Sequence, residues 1–472
     1  MNIFNPPEKS LGWGKSFLWL VIAVACFHAA YTSIRFPAAG LLIFGYALGL
    51  VQLAGQPTVR RAFYFGLATG LLCYAPQMYF LWNIFGPTAI VLWLVLAFWI
   101  GLFAAIVCGC IRRWGKVKTI WLIPFVWTGI EYFRSELYYL KFSWLNIGYA
   151  LPGPFSHLGM GMYGVAFFAF GIFVVVYYWR LLKLSLLQTF LILLFLALFL
   201  AVLVPALVKA QPKATRAPLL SLVGVQLEFP NQTILPKMLT HTLNKNPDAQ
   251  IFVLSEYTLD GPVPDSLKNW CREHSRFLVV GGVVLLGTTN FYDTAFVVGT
   301  NGDVVFQQVK CVPIQFFKDG LPAPEQKVWD SPWGKIGFCI CYDLSYTRVT
   351  DELVRQGAQL LIVPTMDVEA WGRHQHELHA RVAPVRAAEY GVPIFRLASS
   401  GISQAVDGMG HVVAHAPFPG SVDILSAKLR LPMRGSLPLD RYLAPFCVGI
   451  TSVVMAVLLF LGWRDKRVRP KN

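Results

Sequence analysis

The sequence predicts two structural classes in one chain: an α-helical polytopic membrane domain and an α/β domain outside the cytoplasm. Of the 472 residues, 56% are hydrophobic and only 14% are charged, which is too apolar for a soluble protein of this length. Long apolar runs fill the first 208 residues and return near the C-terminus. The block between them alternates β-branched runs with polar, helix-like stretches, as α/β domains do.

Eight apolar runs are candidate membrane spans, because most approach the roughly 20 residues needed to cross the hydrocarbon core. They are residues 17–33, 38–53, 63–85, 89–111, 120–133, 159–178, 184–208 and 442–463. The first run is too long, and followed by too many others, to be a cleaved signal peptide. The fifth run is interrupted by Glu131 and Arg134, which can pair at a spacing of three residues on a helix. Ionisable groups in membrane segments usually have a functional or pairing role, so both are candidate substrate-binding residues.

The net charge of +15 is concentrated in short loops and in the C-terminal tail. If the N-terminus lies inside, the basic clusters at residues 60–61, 112–118, 180–183 and 464–469 all fall on the cytoplasmic side, as the positive-inside rule requires. This topology predicts a membrane domain at 1–208, a catalytic domain outside the cytoplasm at 209–440, and a last span with a basic cytoplasmic tail at 441–472. It argues against nucleic acid as a partner.

The outer block contains short strands and helices in alternation. The strands are predicted at 219–226, 249–254, 277–286, 290–299, 303–310, 336–340, 359–364 and 393–397, and the helices at 232–244, 351–357 and 374–390. Asn301-Gly302 between two apolar runs is a strong hairpin signal. These elements form an α/β layered domain of about 220 residues, large enough for one substantial core.

Three chemically distinct side chains follow predicted strands: Glu256, Lys310 and Cys341. Ligands of layered α/β folds collect beyond the carboxyl ends of strands. There, a carboxylate can take the proton of a thiol, the thiolate can attack a carbonyl carbon, and an ammonium can stabilise the oxyanion. Cys341 is predicted at a strand-to-helix elbow, where backbone N–H groups and a helix N-terminus favour the thiolate.

Each of these residues also has a structural interpretation. Glu256 can be a helix cap or a solvated loop acid, Lys310 a surface lysine, and Cys341 with Cys339 a pair of small core residues. The four cysteines of the outer block have no spacing typical of a zinc site, and His374, His376 and His379 are interpreted as residues of a polar helix face. The sequence therefore predicts neither a metal nor another cofactor.

The order Glu, Lys, Cys, ending in Ile340-Cys341-Tyr342-Asp343, resembles the nitrilase (carbon–nitrogen hydrolase) superfamily. The following segments resemble its sequence after the cysteine: Trp371-Gly372, Gln375-His376, Arg386-Ala387-Ala388-Glu389, and Arg396 with Ser399-Ser400-Gly401-Ile402-Ser403. In the membrane part, a further set is similar to bacterial apolipoprotein N-acyltransferases: Pro124, Trp127, Glu131, Arg134, Phe142-Ser143-Trp144-Leu145 and Gly148-Tyr149. That family also places a nitrilase-like domain between a seventh and an eighth span.

The resemblance implies an αββα sandwich with a Glu256–Lys310–Cys341 triad, and it makes Tyr342, Asp343 and Trp371 candidate substrate-binding residues. Two departures from the family pattern stand out. Aligning the proline at 313 puts Gln308 at the family's lysine position, with Lys310 two residues further along the same strand face. The family's second glutamate has no clear counterpart, and Asp343 replaces the glutamate that usually follows the Cys-Tyr pair.

The preferred interpretation is a multi-pass enzyme of the bacterial inner membrane. It would form a Cys341 thioester from a phospholipid acyl chain and pass the acyl group to the N-terminal amine of a diacylglyceryl lipoprotein. A membrane-anchored amidohydrolase that uses water as the acceptor is one alternative. A degenerate, non-catalytic nitrilase-like module is the other, and the displaced lysine motivates it.

Overall fold

The structure is a computed structural model, and it describes residues 11–32, 37–151, 159–178, 219–416, 418, 422–432 and 434–468. The chain divides into two units. The helical unit contains the described residues before 152, those from 160 to 178, and those from 439 onward. The two-sheet unit contains the described residues from 219 to 438.

The helical unit consists of apolar helices joined by short turns. The helices are α1 Trp13–Ala30, α2 Ile43–Leu53, α3 Val59–Gln77, α4 Phe80–Phe85, α5 Ala89–Trp114, α6 Lys116–Thr119, α7 Ile123–Tyr132, α8 Ile147–Ala150 and α9 Gly161–Tyr178, followed after the two-sheet unit by α15 Asp440–Val468. Three segments are long and apolar enough to cross a membrane, namely Trp13–Ala30, Phe80–Trp114 and Asp440–Arg467. Ala38–Leu53 and Gly161–Gly171 are shorter apolar segments.

Two of the predicted spans differ in the structure. The run at 63–85 is not one helix, because α3 ends at Gln77, directly after Pro76, and α4 begins at Phe80. Proline cannot donate the backbone hydrogen bond that would continue a helix ladder. The run at 120–133 contains the ten-residue helix α7, which has Pro124 in its first turn and continues into a π-helical turn at Phe133–Leu137. The run at 184–208 lies outside the described residues.

The two-sheet unit contains two six-stranded sheets. In the first, the order is β12-β1-β2-β3-β4-β5, and in the second β11-β10-β9-β8-β7-β6. The strands are β1 Leu219–Gln226, β2 Ile251–Leu254, β3 Phe277–Leu286, β4 Asn290–Val298, β5 Val304–Val309, β6 Val328–Ser331, β7 Gly334–Phe338, β8 Leu360–Thr365, β9 Ile394–Ala398, β10 Gln404–Val406, β11 Val412–His415 and β12 Asp423–Arg430.

Parallel strands lie at the centre of each sheet: β1, β2 and β3 in the first, and β7, β8 and β9 in the second. β3–β4 and β4–β5 are antiparallel pairs, so β5 runs in the same direction as β3. The residues that follow β2 and β5 therefore come out at the same edge of the first sheet.

Alternation of side chains along the strands produces a four-layered αββα sandwich. On β1, Leu220 and Leu222 face the second sheet and pack in one core with residues such as Phe338, Ile362 and Phe395. Val223 and Val225 face the other way and pack against the helices on the outside of the first sheet. The helices of the unit are α10 Leu235–Lys245, α11 Asp265–His274, α12 Thr347–Arg355, α13 Arg373–Ala380 and α14 Val382–Tyr390.

Candidate active site

Polar side chains gather where strands of both sheets end. Glu256 follows β2, Lys310 follows β5, Cys341 follows β7 and Met366 follows β8. Chain reversals at this edge use unusual backbone conformations: Tyr257 and Cys341 both have positive φ, at 51°. Such φ values are uncommon for residues other than glycine, and they often occur at functional sites.

Lys310 and Glu256 form a fully buried ion pair. Lys310 Nζ lies 2.7 Å from Glu256 Oε1, with the lysine side chain 1% exposed and the glutamate side chain 0% exposed. The other carboxylate oxygen, Oε2, accepts a hydrogen bond of 2.6 Å from Met366 N. Burial would lower the pKa of Lys310, but Glu256 and the neighbouring acids raise it well above its ordinary value, so the side chain is an ammonium.

Asp319, which was not predicted from the sequence, is the second carboxylate on this lysine. Its Oδ2 lies 2.7 Å from Lys310 Nζ. The Tyr257 hydroxyl donates to Asp319 Oδ1 at 2.8 Å, and Ile314 N donates to Oδ2 at 2.6 Å. Asp319 stands in the segment where the family's second glutamate had no counterpart, and its position in a loop gave no periodic signal.

Asp293 is the third acid of the cluster and was also missed. It lies on β4, is fully buried, and its Oδ2 is 3.4 Å from Lys310 Nζ. Burial, followed by the charge of Glu256, raises the pKa of Asp293 well above its ordinary value, so it retains its proton more readily than an exposed aspartate. An aspartate within an apolar strand such as Phe291–Val298 is the only sign of this residue in the sequence.

Lys310 is the predicted oxyanion-stabilising group, Gln308 and Lys318 are the alternatives nearby in the chain, and the structure gives the three different surroundings. The Gln308 amide is used to hold the neighbouring loop, donating to Glu325 O and accepting from Lys327 N. Lys318 is exposed. Of the three, Lys310 is the one in the carboxylate cluster.

Cys341 is buried at the elbow after β7, where it begins a short 3-10 turn, Cys341–Ser345. Burial raises the pKa of the Cys341 thiol well above its ordinary value, Glu256 raises it further, and Lys310 opposes this effect. The expectation that this elbow favours the thiolate is therefore wrong for the resting protein. The structural reason is that the site excludes water and places an anion near the sulfur, so deprotonation requires a base.

The turn after Cys341 is held by a buried arginine of α14. Arg386 Nε donates to Leu344 O at 3.1 Å and Arg386 Nη2 to Ser345 O at 2.8 Å, while Nη1 pairs with Glu389 at 2.7 Å. Cys339, two residues before the nucleophile candidate, is completely buried.

The candidate substrate-binding residues of this unit differ in their surroundings. Asp343 is buried and accepts hydrogen bonds from the backbone N–H groups of Ile340, Cys311 and Val312, so its carboxylate ties the Cys341 turn to the chain after Lys310. Tyr342 is partly exposed and its ring meets Tyr346 edge-on. Trp371 is partly exposed beside Phe317, with ring centroids 6.1 Å apart.

The three histidines of α13 do not share one polar surface. His374 is exposed, but His376 and His379 are buried. His376 Nε2 is 3.0 Å from Val368 O, and His379 Nδ1 is 2.8 Å from Asp367 Oδ1. The prediction of a polar helix face is wrong for these two, because both side chains are buried and one ring nitrogen of each contacts the loop after β8.

In the helical unit, Glu131 and Arg134 are both buried, but they do not form the predicted direct pair among the described residues. Glu131 Oε1 accepts from Ile147 N at 2.9 Å, and Arg134 Nη2 donates to Asn146 Oδ1 at 2.8 Å. The two side chains instead bind adjacent positions at the start of α8. Tyr31 OH donates to Asn146 O at 2.9 Å and adds a contact from α1.

Comparisons with known proteins assign both units. The apolipoprotein N-acyltransferase N-terminal domain matches residues 25–167, and the carbon–nitrogen hydrolase domain matches residues 234–437. An apolipoprotein N-acyltransferase of Geobacter metallireducens is 24% identical, covering 94% of this chain and 96% of its own. One from Pasteurella multocida is also 24% identical, covering 69% of this chain and 72% of its own.

Among solved structures, Nit3 of Saccharomyces cerevisiae, a member of branch 10 of the nitrilase superfamily, is 20% identical and has a TM-score of 0.40. That match covers 47% of this chain and 93% of Nit3. The two family models together match most of the chain, and proteins named apolipoprotein N-acyltransferase align with it along nearly its whole length, with a carbon–nitrogen hydrolase domain in its second unit.

Proposed function

We propose that the protein transfers an acyl chain from a phospholipid to the N-terminal amine of a diacylglyceryl lipoprotein, through a thioester on Cys341. The observation that carries this proposal is the buried Glu256–Lys310 ion pair, whose charges act on the thiol of Cys341. A base, a cation and a nucleophile at the strand ends of the two sheets are the groups that acyl transfer requires. The family assignment supports the substrate class.

In the first half-reaction, Glu256 takes the Sγ proton and the Cys341 sulfur attacks the carbonyl carbon of the phospholipid ester. The negative charge that develops on the carbonyl oxygen is stabilised by the Lys310 ammonium. The intermediate collapses with cleavage of the ester C–O bond. Glu256 returns its proton to the departing alkoxide, so a lysophospholipid leaves and the acyl group remains on sulfur.

In the second half-reaction, the lipoprotein amine attacks the thioester carbon and Glu256 accepts a proton from the nitrogen. Cleavage of the C–S bond forms the amide, and the proton on Glu256 returns to Cys341. Glu256 and Lys310 thus act as the base and the oxyanion-stabilising group in both half-reactions. Asp319 and Asp293 enclose the ammonium and hold it at one position.

We further propose that residues 209–440 lie outside the cytoplasm, between a membrane domain at 1–208 and a last span with its tail at 441–472. The basic clusters support this orientation. Both substrates carry acyl chains, so the enzyme would meet them at the membrane.

Purified protein incubated with labelled phospholipid and a diacylglyceryl peptide tests the reaction. Labelled acyl peptide is the expected product, with a Cys341→Ala protein as the inactive control. Label recovered as free fatty acid, at the same rate with and without peptide, would instead identify a hydrolase. Binding of both substrates without turnover would contradict catalysis altogether.

A further inference from the structure

The chain that leaves β8 contacts both the candidate base and the candidate nucleophile. Met366 N donates to Glu256 Oε2 at 2.6 Å, and Met366 O lies 3.7 Å from Cys341 Sγ, within reach of a weak S–H hydrogen bond. A single residue therefore orients the carboxylate with its N–H group and faces the thiol with its carbonyl. Anything that fixes Met366 also fixes the geometry of proton transfer.

The next residue, Asp367, is held by three buried side chains. Its Oδ2 accepts from Arg396 Nη2 at 2.6 Å, and both side chains are 0% exposed. Its Oδ1 lies 2.8 Å from His379 Nδ1 and 3.1 Å from Gln375 Nε2. Arg396 itself stands on β9 and also donates to Ile402 O. Asp367 thus joins the loop after β8 to both a strand and a helix.

The backbone of Asp367 is fixed as firmly as its side chain. Asp367 N donates to Ser399 Oγ at 3.0 Å. This N–H shares a peptide plane with the Met366 carbonyl, so Ser399 fixes the direction in which that carbonyl faces Cys341. Ser400 N donates to Asp367 O at 3.1 Å. At Gly401, a Cβ atom would lie 2.5 Å from Asp367 Oδ2, so only glycine leaves room for the carboxylate there.

The charges of this network agree with its geometry. Burial would raise the pKa of Asp367, but His379 and Arg396 outweigh it and lower the pKa below the ordinary value. Burial lowers the pKa of His379, and the pull of Asp367 only partly offsets this. At neutral pH the network is an aspartate–arginine ion pair with a neutral histidine.

We infer that Asp367, held by Arg396 and Ser399, is a positioning residue that fixes the Met366 peptide between Glu256 and Cys341. Its carboxylate binds Arg396, His379 and Gln375, and it is the preceding residue, Met366, that contacts the sulfur. It acts by holding the Met366 N–H against Glu256 Oε2 and the Met366 carbonyl against the Cys341 thiol. The Glu256 carboxylate is thereby oriented to take the thiol proton. The inference rests on the proposed function only in taking Glu256 as the base.

The test measures the rate at which iodoacetamide alkylates Cys341, followed by mass spectrometry of the peptide that contains it, between pH 6 and pH 10. This reaction needs no acyl donor, so its outcome is independent of whether the protein transfers lipid acyl chains. The Asp367→Asn protein should react about tenfold or more slowly than the parent at pH 7, because misplacement near a reacting group can cost on the order of 10²-fold. Its rate should approach that of Glu256→Gln.

The pH profile separates positioning from a general structural effect. As the pH rises, hydroxide increasingly replaces Glu256 as the base that takes the thiol proton, so the deficit of Asp367→Asn should shrink towards pH 10. A deficit of equal size at every pH, or a parent rate at pH 7, would overturn the inference. The Asp367→Asn change leaves the titratable groups around Glu256 in place. These are Lys310, Asp293, Asp319, Tyr257, Cys341 and His379.

The Asp367→Asn change removes the negative charge that pairs with the buried Arg396 guanidinium, so this protein can fail to fold. Two further variants test the inference in that case. The double variant Asp367→Asn/Arg396→Gln removes both charges, and Ser399→Ala removes a hydroxyl and no charge. Each should give the same pH-dependent deficit. Asp407→Asn is the matched control, because the Asp407 carboxylate also lies against the Nδ1 atom of a histidine, His411, at 3.2 Å, but in an exposed turn. It should alkylate at the parent rate.

Discussion

Lys310 is the residue on which the electrostatics of the site depend. Three carboxyl groups lie within 3.4 Å of its ammonium, and all four side chains are at most 4% exposed. A buried charge is tolerated only when it is paired, and two negative charges close together favour a proton on a third acid. Burial, and after it the charge of Glu256, raise the pKa of Asp293. The cluster therefore keeps the lysine charged next to Glu256.

The first prediction concerns the two cysteines of the elbow. Cys341→Ala should abolish acyl transfer, because its thiol is the proposed nucleophile, whereas Cys339→Ala should retain most of the activity. Cys339 is completely buried and its replacement removes only one packed atom. Turnover is compared in proteins with the same melting temperature. Equal loss in both variants would show that the nucleophile has been misassigned.

The second prediction concerns the oxyanion group. Lys310→Met should slow acyl-enzyme formation by about 10²–10³-fold, the usual effect of losing one such donor. Gln308→Ala and Lys318→Met should acylate at nearly the parent rate, because Gln308 holds a loop and Lys318 is exposed. The measurement is the mass of trapped Cys341 acyl-enzyme over time. Parent-like acylation in Lys310→Met would mean that another group carries the charge.

For individual residues, the site side chains that directly follow a regular strand were predicted from the sequence. The site side chains at other positions were missed. Glu256, Lys310 and Cys341 were identifiable because each follows an apolar run. Asp319 follows no strand, and Asp293 lies within one, so neither position suggested a site. Their proximity to Lys310 depends on which strands are neighbours, which is a non-local property.

Among the elements, strands with strong apolar runs were predicted almost to the residue. The β1 and β3 bounds agree with the prediction. Helix α11 was missed although Leu267, Trp270 and Cys271 repeat on one face, as was β12, whose last residues alternate between buried and exposed. The predicted helix at 374–390 is two helices, α13 and α14, which meet at Arg381. Pro384 in the first turn of α14 is compatible with a new helix start.

The third prediction tests how closely β3 supports the end of β2. A Cβ atom at Gly281 would lie 2.5 Å from Glu256 Cα and 2.6 Å from Ser255 O. Because these are main-chain atoms, Gly281→Ala should move Glu256 and lower activity sharply, with a stability cost of roughly 1–3 kcal/mol. Acyl-enzyme formation and thermal unfolding are the measurements.

Gly261→Ala is the control for this change, since a Cβ there would meet nothing within 4 Å. It should leave both quantities unchanged. If Gly281→Ala and Gly261→Ala behave alike, then β3 does not constrain the position of Glu256.

For the whole molecule, composition and patterning predicted an apolar helical region joined to an α/β layered domain, and the resemblance to nitrilases implied its αββα arrangement. The structure and the family comparisons agree with that fold class. Helix boundaries in the apolar region were less predictable. Hydropathy is nearly uniform along the apolar region, so Pro76 is the sequence feature that marks the break between α3 and α4.

The fourth prediction concerns orientation in the membrane. A reporter enzyme that works only outside the cytoplasm should be active when fused in the exposed turn near Asn290, and silent when fused after Asn472. The reason is that all the basic clusters then lie inside. Reporter activity is measured in intact cells that express equal amounts of each fusion. Activity at Asn472 and silence at Asn290 would invert the proposed topology.

The pairing of β1 with β12 has an evolutionary consequence. Leu219, the first residue of β1, is the register partner of Arg430, the last residue of β12, and the ladder continues without interruption to Gln226 and Asp423. Directly opposed residues of antiparallel strands have Cα atoms about 5 Å apart. The chain therefore enters and leaves the two-sheet unit at neighbouring positions. A domain whose two ends lie this close together can be inserted into a loop of another protein without changing the fold of either one. A single insertion is thus sufficient to join a domain of this kind to a set of apolar helices.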